Sequence, residues 1–298
     1  MIKTKFGRKG FKKMIITTTV LIGASTLLSL GISQVITAAE LKNTNIVPTN
    51  YANYTLDSNQ TEGVSLPKGY KHANYSVGDI DLEYYRNQTP TSKDMSKEEA
   101  AEIGAQVLWD IFDVNLEKQV IEMGYERASD SLPRSTWYGE AIINGKLSYY
   151  FSVDSVTGEV FSIGRGDRTL DEDVSVEFDA ELDKNPQEFV TVVKELAEKY
   201  NVVHGSVKLV DYNGQGYSNN DPTISFDITG ENGEIALMTL SRYDKELLGI
   251  SYSASYKPFL EYSEQENRKL QERIKDLEKS APQTDENEES ILKVIDLD

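Results

Sequence analysis

Two stretches of the chain, about 87 residues apart, repeat one succession of apolar and polar positions. Each begins with apolar residues at three- and four-residue spacing, at 97–112 and 186–200, which predicts a helix with one apolar face. Each continues with short runs that alternate between apolar and polar residues, which predict strands. The pattern therefore predicts an α+β fold in which a helix packed on an antiparallel sheet is used in two tandem units.

Local turn signals separate the predicted strands. Asn144-Gly145 and Asn232-Gly233 each lie between two strands, and both residues of an Asn-Gly pair tolerate positive φ. Residues 213–216 read Asn-Gly-Gln-Gly and are predicted to form a loop. Strands are expected at 136–143, 147–153 and 159–163 in the first unit, and at 206–212, 223–229, 234–240 and 247–253 in the second.

The remaining segments set the domain organisation. Residues 40–93 are rich in Asn, Ser, Thr and Gly and predict a flexible linker, with a possible first strand at 76–85. Asp94 or Ser96 can cap the first helix, and Asn185 with Pro186 begins the second. The helix-and-sheet units are expected at 94–168 and 183–258, followed by a charged helix at 263–279 within a C-terminal region, 260–298, that ends in an acidic tail.

The first 39 residues form a signal peptide or a membrane anchor. Six basic residues come before Met14, and no charged residue follows until Glu40. Small residues at Thr37-Ala38-Ala39 suit cleavage, while the uncharged run is also long enough to span a bilayer. Under either hypothesis the positive-inside rule places the rest of the chain outside the cytoplasm, secreted or held at the membrane through 1–39.

Composition narrows the classes of function. The chain has no cysteine, which excludes disulfides and thiolate sites and favours a bacterial, Gram-positive envelope over a eukaryotic secretory pathway. Without residues 1–39 the chain has 25 basic and 49 acidic residues, a formal charge of −24. Such a surface repels nucleic acid and favours cationic partners or simple solubility.

Catalytic and metal-binding signatures are absent from the sequence. The two histidines, His72 and His204, are far apart, and no nucleophile, phosphate-loop or calcium-loop motif occurs. A weak calcium site is conceivable among four carboxylates, Asp171, Glu172, Asp173 and Asp221. We therefore expect no cofactor, no metal and no enzymatic activity, although paired carboxylates of a hydrolase cannot be recognised from spacing alone.

Aromatic residues are the better candidates for recognition. Two interpretations stay open: exposed aromatic side chains that anchor a protein partner, or cross-strand aromatic pairs that stabilise the sheet. The candidate partner-binding residues are Trp137, Tyr138, Tyr149, Tyr252 and Tyr256.

The first unit resembles the PepSY domain over residues 94–165. The resemblance rests on the helix start at 96–100, the strand that ends Ser152-Val153-Asp154, and the turn Thr157-Gly158-Glu159-Val160. In the second unit the spacing survives, but Ser241 stands in place of Asp154 and Asp244-Lys245 in place of Thr157-Gly158.

The resemblance implies an extracytoplasmic module, without catalytic residues, that restrains or chaperones a peptidase. Asp154, Thr157, Gly158 and Glu159 are the motif residues; we expect them to shape the turn, with partner contact as the alternative. The favoured hypothesis is a non-catalytic protein that modulates an exported partner such as a peptidase. A membrane-tethered sensor and a wall-polymer hydrolase are the alternatives.

Overall fold

A computed structural model describes residues 66–166, 168–171 and 173–280, with side chains through residue 276. The expected signal or anchor at 1–39 and the acidic tail lie outside the described residues. The fold is α+β, with one mixed sheet and few helices. In chain order the elements are β1 (Ser76–Asp79), α1 (Glu83–Arg86), α2 (Lys97–Phe112), β2 (Val120–Glu126), β3 (Thr136–Ile143), β4 (Lys146–Asp154), β5 (Val160–Arg165), α3 (Ala180–Lys184), α4 (Gln187–Lys199), β6 (Val207–Ser218), β7 (Asp221–Gly230), β8 (Ile235–Ser241), β9 (Leu247–Ser251) and α5 (Ser253–Ser280).

The strands form one nine-stranded sheet in the order β1-β2-β3-β4-β5-β9-β8-β7-β6. All neighbours are antiparallel except β1 and β2, which are parallel. The expectation of a wholly antiparallel sheet was therefore wrong at this edge. We call β1–β5 the first half of the sheet and β6–β9 the second half.

The two halves are related by an approximate two-fold axis at their seam. Ile163 of β5 pairs with Ile250 of β9, and these two residues are each other's counterparts, 87 positions apart. On both sides of this pair the register runs symmetrically, and Gly164 faces Gly249. The ring of Tyr150 lies over Gly164, where an added Cβ would come within 2.4 Å of it. The seam thus resembles an isologous interface within one chain.

A capping box and a left-handed residue define the two ends of helix α2. The Ser96 side chain accepts from the Glu99 backbone N–H, while the Glu99 carboxylate accepts from the Ser96 backbone, a complete capping box. The helix ends at Asp113, which has a left-handed φ of 55°. Ser96 rather than Asp94 is therefore the cap. Helix α4 begins after Pro186, whose side chain has no hydrogen-bonding group, and the expectation of Asn185 as the cap was wrong.

One core lies between the sheet and the helices on one of its faces. In the first half, Phe151 of β4 fills the gap between Gly104 of α2 and Gly139 of β3; a Cβ on either glycine would come within 2.2 Å of the ring. In the second half the phenylalanine lies on the other strand of the pair: Phe226 of β7 stands at the position of Gly139, and it pairs with Met238 of β8, which stands at the position of Phe151. All three large side chains are fully buried. The two halves fill the same volume by different choices of residue.

Several elements differ from the sequence-based expectations. Strand β2 was not predicted, and residues 213–216 belong to β6, where a bulge near Tyr212 accommodates them. Helix α5 starts at Ser253, ten residues before its expected start, and contains Pro258. The first strand ends at Asp79, and α1 follows where the strand was expected to continue.

The chain forms two compact units, one through Phe259 and one from Leu260. In the second unit, Leu270 and Ile274 are exposed. Local ion pairs join Arg268 to Glu264 at 3.7 Å and Lys269 to Glu266 at 2.7 Å. Within the described part of the chain, no helix is both long and apolar enough to cross a membrane.

Candidate binding surface

Three of the five candidate aromatic residues lie in the interior. Trp137, Tyr252 and Tyr256 are each less than 9 % exposed. The Trp137 indole N–H donates to the Met95 carbonyl at 3.0 Å, and the Tyr256 hydroxyl donates to the Asp227 carboxylate at 2.6 Å. A partner cannot reach these side chains in this structure. Their rings pack inside the fold, and the ring of Trp137 lies 5.3 Å from that of Tyr125 on the neighbouring strand.

The other two candidates are half-buried among aromatic neighbours. Tyr138 stacks between Tyr85 and Tyr150, with ring centroids 6.2 and 6.4 Å away. Burial, followed by the charge of Glu140, raises the pKa of Tyr138 above its ordinary value. Tyr149 packs against Phe112 at 5.2 Å. These residues form cross-strand and helix-sheet contacts and leave little ring surface for a partner.

The motif turn is built around Arg134, which lies in the loop before β3. Asp154 accepts from the backbone N–H groups of Val156 and Thr157 at 2.8 and 2.6 Å, so its carboxylate closes the turn. The Arg134 Nε donates to the same carboxylate at 2.5 Å, and its Nη1 lies 2.6 Å from Glu159 Oε2.

The remaining motif residues also serve this turn. The guanidinium donates to the Thr157 hydroxyl at 3.1 Å, and Gly158 adopts a φ of 74°. The side chain of Asp154 is 4 % exposed and that of Arg134 is 22 % exposed. All four motif residues therefore have structural partners, and the turn presents no unpaired carboxylate to a ligand.

The counterpart turn in the second half keeps this geometry with different residues. The Ser241 backbone N–H donates to the Glu246 carbonyl as that of Asp154 does to Glu159, at 2.9 and 2.8 Å. Lys245 takes the place of Gly158, with a positive φ of 63°. The carboxylate now comes from Asp221 of β7, which accepts from the Ser241 hydroxyl at 2.5 Å.

Arg168 plays the part of Arg134 in this second turn. It donates to Asp221 at 2.7 Å and to the carboxylate of Asp244. Burial works against ionisation of Asp244, but the Arg168 hydrogen bond prevails and lowers its pKa. Asp221 is fully buried. The Asp221 carboxylate is thus held by Arg168 and Ser241, and Glu172 of the candidate calcium site lies outside the described residues. No group of three potential metal ligands occurs among the described residues.

The two ends of the sheet differ. The edge of β2 is covered by β1, whereas the corresponding strand of the second half, β6, is paired on one side only in the described sheet. Strand β6 has twelve residues, and its Leu209 and Tyr217 are 48 % and 68 % exposed. An uncovered strand edge offers N–H and C=O groups to another chain. In the sequence, only the predicted strand at 206–212 indicated this edge.

A buried carboxylate on α2 holds the chain segment that leads into β1. Glu102 accepts from the hydroxyls of Tyr70 and Tyr75, each at 2.7 Å, and lies 2.8 Å from His72 Nδ1. Gln106 donates to the same carboxylate at 3.1 Å. Burial and this carboxylate raise the pKa of Tyr75 above its ordinary value. Residues 70–75 are thus fixed, and β1 follows directly at the edge of β2.

One open cleft of about 530 Å³ lies beside the start of α4. Its carboxylates already have partners: Asp179 caps α3, Glu181 pairs with Lys184 at 2.8 Å, and Glu188 pairs with Lys245 at 3.2 Å. Such an arrangement gives no specific support to the hydrolase hypothesis, which needs two carboxyl groups that converge on one bond.

Comparisons with known proteins give no family for the chain. No protein-family model matches it, and no curated protein matches it. Among solved structures, the Bacillus megaterium YpeB C-terminal domain is similar over 55 % of this chain and 65 % of that one, with 10 % sequence identity and a TM-score of 0.32. The chain therefore spans less than two thirds of that domain.

Proposed function

We propose that this protein is a non-catalytic, extracytoplasmic binding protein with two PepSY-like units, which modulates an exported partner such as a peptidase. The observation that carries the proposal is the uncovered edge of β6. The partner is bound by strand addition, in which a segment of the partner pairs with the edge and main-chain hydrogen bonds supply the affinity.

Three further features support this proposal over the alternatives. The edge is long and carries exposed apolar side chains at Leu209 and Tyr217. The candidate aromatic residues and the motif turn have partners inside the fold, which leaves the edge as the strongest candidate surface. The acidic character of the chain after residue 39 disfavours a second copy as the partner and favours a neutral or basic one.

The direct test removes one hydrogen-bond donor from the edge. The Gly230 N–H donates to Glu234, on the side of β7 away from β6, and alternation along β7 makes Ile228 and its partner Val210 a pair without mutual hydrogen bonds. The backbone N–H of Val210 therefore points away from β7, and proline is tolerated there as it is on edge strands. The purified protein and its Val210→Pro and Val210→Thr variants are mixed with exported peptidases of the source organism, and peptidase rates are measured. Val210→Thr keeps the branched side chain and the donor.

We expect a peptidase whose rate changes with the wild-type protein and with Val210→Thr but not with Val210→Pro. Thermal unfolding of each variant serves as the check on folding. Equal effects of all three proteins on the peptidase would overturn the role of the edge. The absence of any effect on every exported peptidase would overturn peptidase modulation.

A further inference from the structure

The covered edge of β2 shows what the uncovered edge of β6 accepts. The inference rests on the proposed function, since it concerns the same surface. Strand β1 runs parallel to β2, and the Ser76 N–H donates to the Gln119 carbonyl at 3.0 Å. At the other end, the Ile80 N–H donates to the Met123 carbonyl, also at 3.0 Å. In a parallel ladder every second residue of a strand directs its N–H and C=O groups toward the same neighbour. Ile121 lies midway between the acceptors Gln119 and Met123, so its backbone groups also face β1.

Pairing with the neighbouring strand defines which β6 residues occupy the same positions. Met123 pairs with Gly139 of β3, and Tyr212 pairs with Phe226, the counterpart of Gly139 in the second half. By the same rule Val210 corresponds to Ile121, because their partners Ile228 and Ala141 are counterparts. The outward-facing groups of β6 are therefore those of Val210 and Tyr212, at the position equivalent to that of β1, where the described part of the chain places no strand.

The side chains around β1 indicate which residues fit. Val77 packs against the core from its position opposite Ile121, and the next residue is Gly78. On β6 the position opposite the incoming valine is Val210, which also packs against the core. The carboxylates near this edge are those of Asp211, which is exposed, and Asp183, which accepts from the Tyr212 hydroxyl at 2.9 Å.

The geometry points to a specific mode of binding: β6 takes a partner's extended segment as a tenth strand, parallel to β6 and beside residues 209–212. The segment has a small aliphatic residue opposite Val210 and a small residue next to it, and it carries no acidic side chain. Its backbone forms hydrogen bonds with Val210 and Tyr212, as β1 does with Ile121 and Met123. Recognition depends on strand direction and shape more than on charged side chains.

The probe is the chain's own β1 sequence. A capped peptide of residues 74–81 with Asp79→Lys and Asp81→Lys is added to the purified, isotope-labelled protein, and backbone amide signals are followed. We expect the amides of Val210 and Tyr212 to shift and to exchange more slowly with solvent. A spin label at the carboxyl end of the peptide broadens signals beyond Tyr212, whereas antiparallel binding would broaden those near Ser206.

Two methylated peptides provide the matched control. N-methylation at the position of Gly78 removes a hydrogen bond to β6, and we expect binding to fall at least tenfold. N-methylation at Val77 blocks an N–H that faces away, and binding should change less than threefold. Equal losses from both peptides, shifts confined to β2, or antiparallel broadening would overturn the inference.

The outcome is separable from that of the proposed function. If Val210→Pro abolishes peptidase modulation while the peptide fails these tests, the parallel register is wrong and the partner-binding function stands. If the peptide behaves as expected but no peptidase is affected, β6 accepts strands and peptidase modulation fails.

Discussion

The two halves of the sheet share one backbone plan, but they use different residues to build it. In the first turn the carboxylate is local, at Asp154; in the second it comes from Asp221 on the neighbouring strand, reached through the Ser241 hydroxyl. In both turns an arginine from outside the hairpin neutralises the buried carboxylate. The shape of the turn is therefore maintained because each buried polar group has a hydrogen-bond partner, and it does not depend on a particular residue.

The halves differ most at their outer edges. Glu102 and the residues that contact it fix the segment before β1, and β1 then covers β2. In the second half the described chain provides no such strand for β6. Among the described residues, the repeated unit thus has one paired outer edge and one unpaired outer edge.

The largest effect should come from removing the arginine of a turn. Among the described residues, Arg168→Met leaves the fully buried Asp221 carboxylate with the Ser241 hydroxyl as its hydrogen-bond donor, and we expect a loss of about 3–5 kcal/mol in the free energy of unfolding. Arg134→Met also removes the ion-pair partner of Glu159, but Asp154 retains two backbone donors, so we expect a smaller loss, at the low end of this range. Urea unfolding measures both. A larger loss for Arg134→Met would contradict this account of how the two buried carboxylates are stabilised.

A second comparison concerns the helix positions that face the sheet. Gly104→Ala places a Cβ about 2.1 Å from the Phe151 ring, and we expect a loss of about 1–3 kcal/mol despite the better helix propensity of alanine. Thr191 of α4 is exposed and serves as the control, and Thr191→Ala should change the free energy of unfolding by less than about 0.5 kcal/mol. Thermal unfolding of both variants tests whether the contact of Gly104 with the Phe151 ring limits the residue at this position.

The covered edge can be loosened without a change in side-chain size. Glu102→Gln replaces a carboxylate, which only accepts hydrogen bonds, with an amide, which has one accepting oxygen and one donating nitrogen. The hydroxyls of Tyr70 and Tyr75 then compete for one acceptor, and we expect a loss of about 1–2 kcal/mol in the free energy of unfolding. Amide exchange of β1 should accelerate more than that of β4. Uniform acceleration through the sheet would show that Glu102 does not act mainly on this edge.

The smallest effect concerns pH. Burial works against ionisation of Asp94, but hydrogen bonds from Ser155, Thr91 and Ser135 prevail and lower its pKa to about 2. A carboxylate with a lowered pKa in the folded state stabilises the protein above its unfolded pKa, and this contribution is lost as pH falls toward 2. Asp94→Asn should therefore destabilise the protein at pH 6 and differ little from wild type near pH 2. Unfolding at both pH values checks the sign.

Local patterns were sufficient to predict helix α2, the first hairpin and the turn at Asp154, because each depends on residues close in sequence. Strand β2 was not predicted because a contact with a residue distant in the sequence determines part of its composition. Its Gly124 lies under the ring of Tyr85, where a Cβ would come within 2.6 Å, so a residue that weakens strands in general is required here.

The candidate surface was harder to predict than the fold. Aromatic residues on strands gave no indication of which face they occupy, and three of the five proved to be buried. No sequence pattern indicated that Arg134 and Arg168 pair with the turn carboxylates, because these partners lie 20 and 53 residues away in sequence. Pro258 obscured the start of α5, because proline more often marks the beginning of a helix than a position within it.

Amide hydrogen exchange of the purified protein tests the central claim most directly, because it compares the two edges in one experiment. The backbone N–H groups of Ile121 and Met123 face β1, whereas those of Val210 and Tyr212 occupy the equivalent positions on β6. We predict strong protection of the first pair and exchange of the second pair at rates close to those of solvent-exposed amides. Equal protection of both pairs would show that β6 is already covered and would contradict the account.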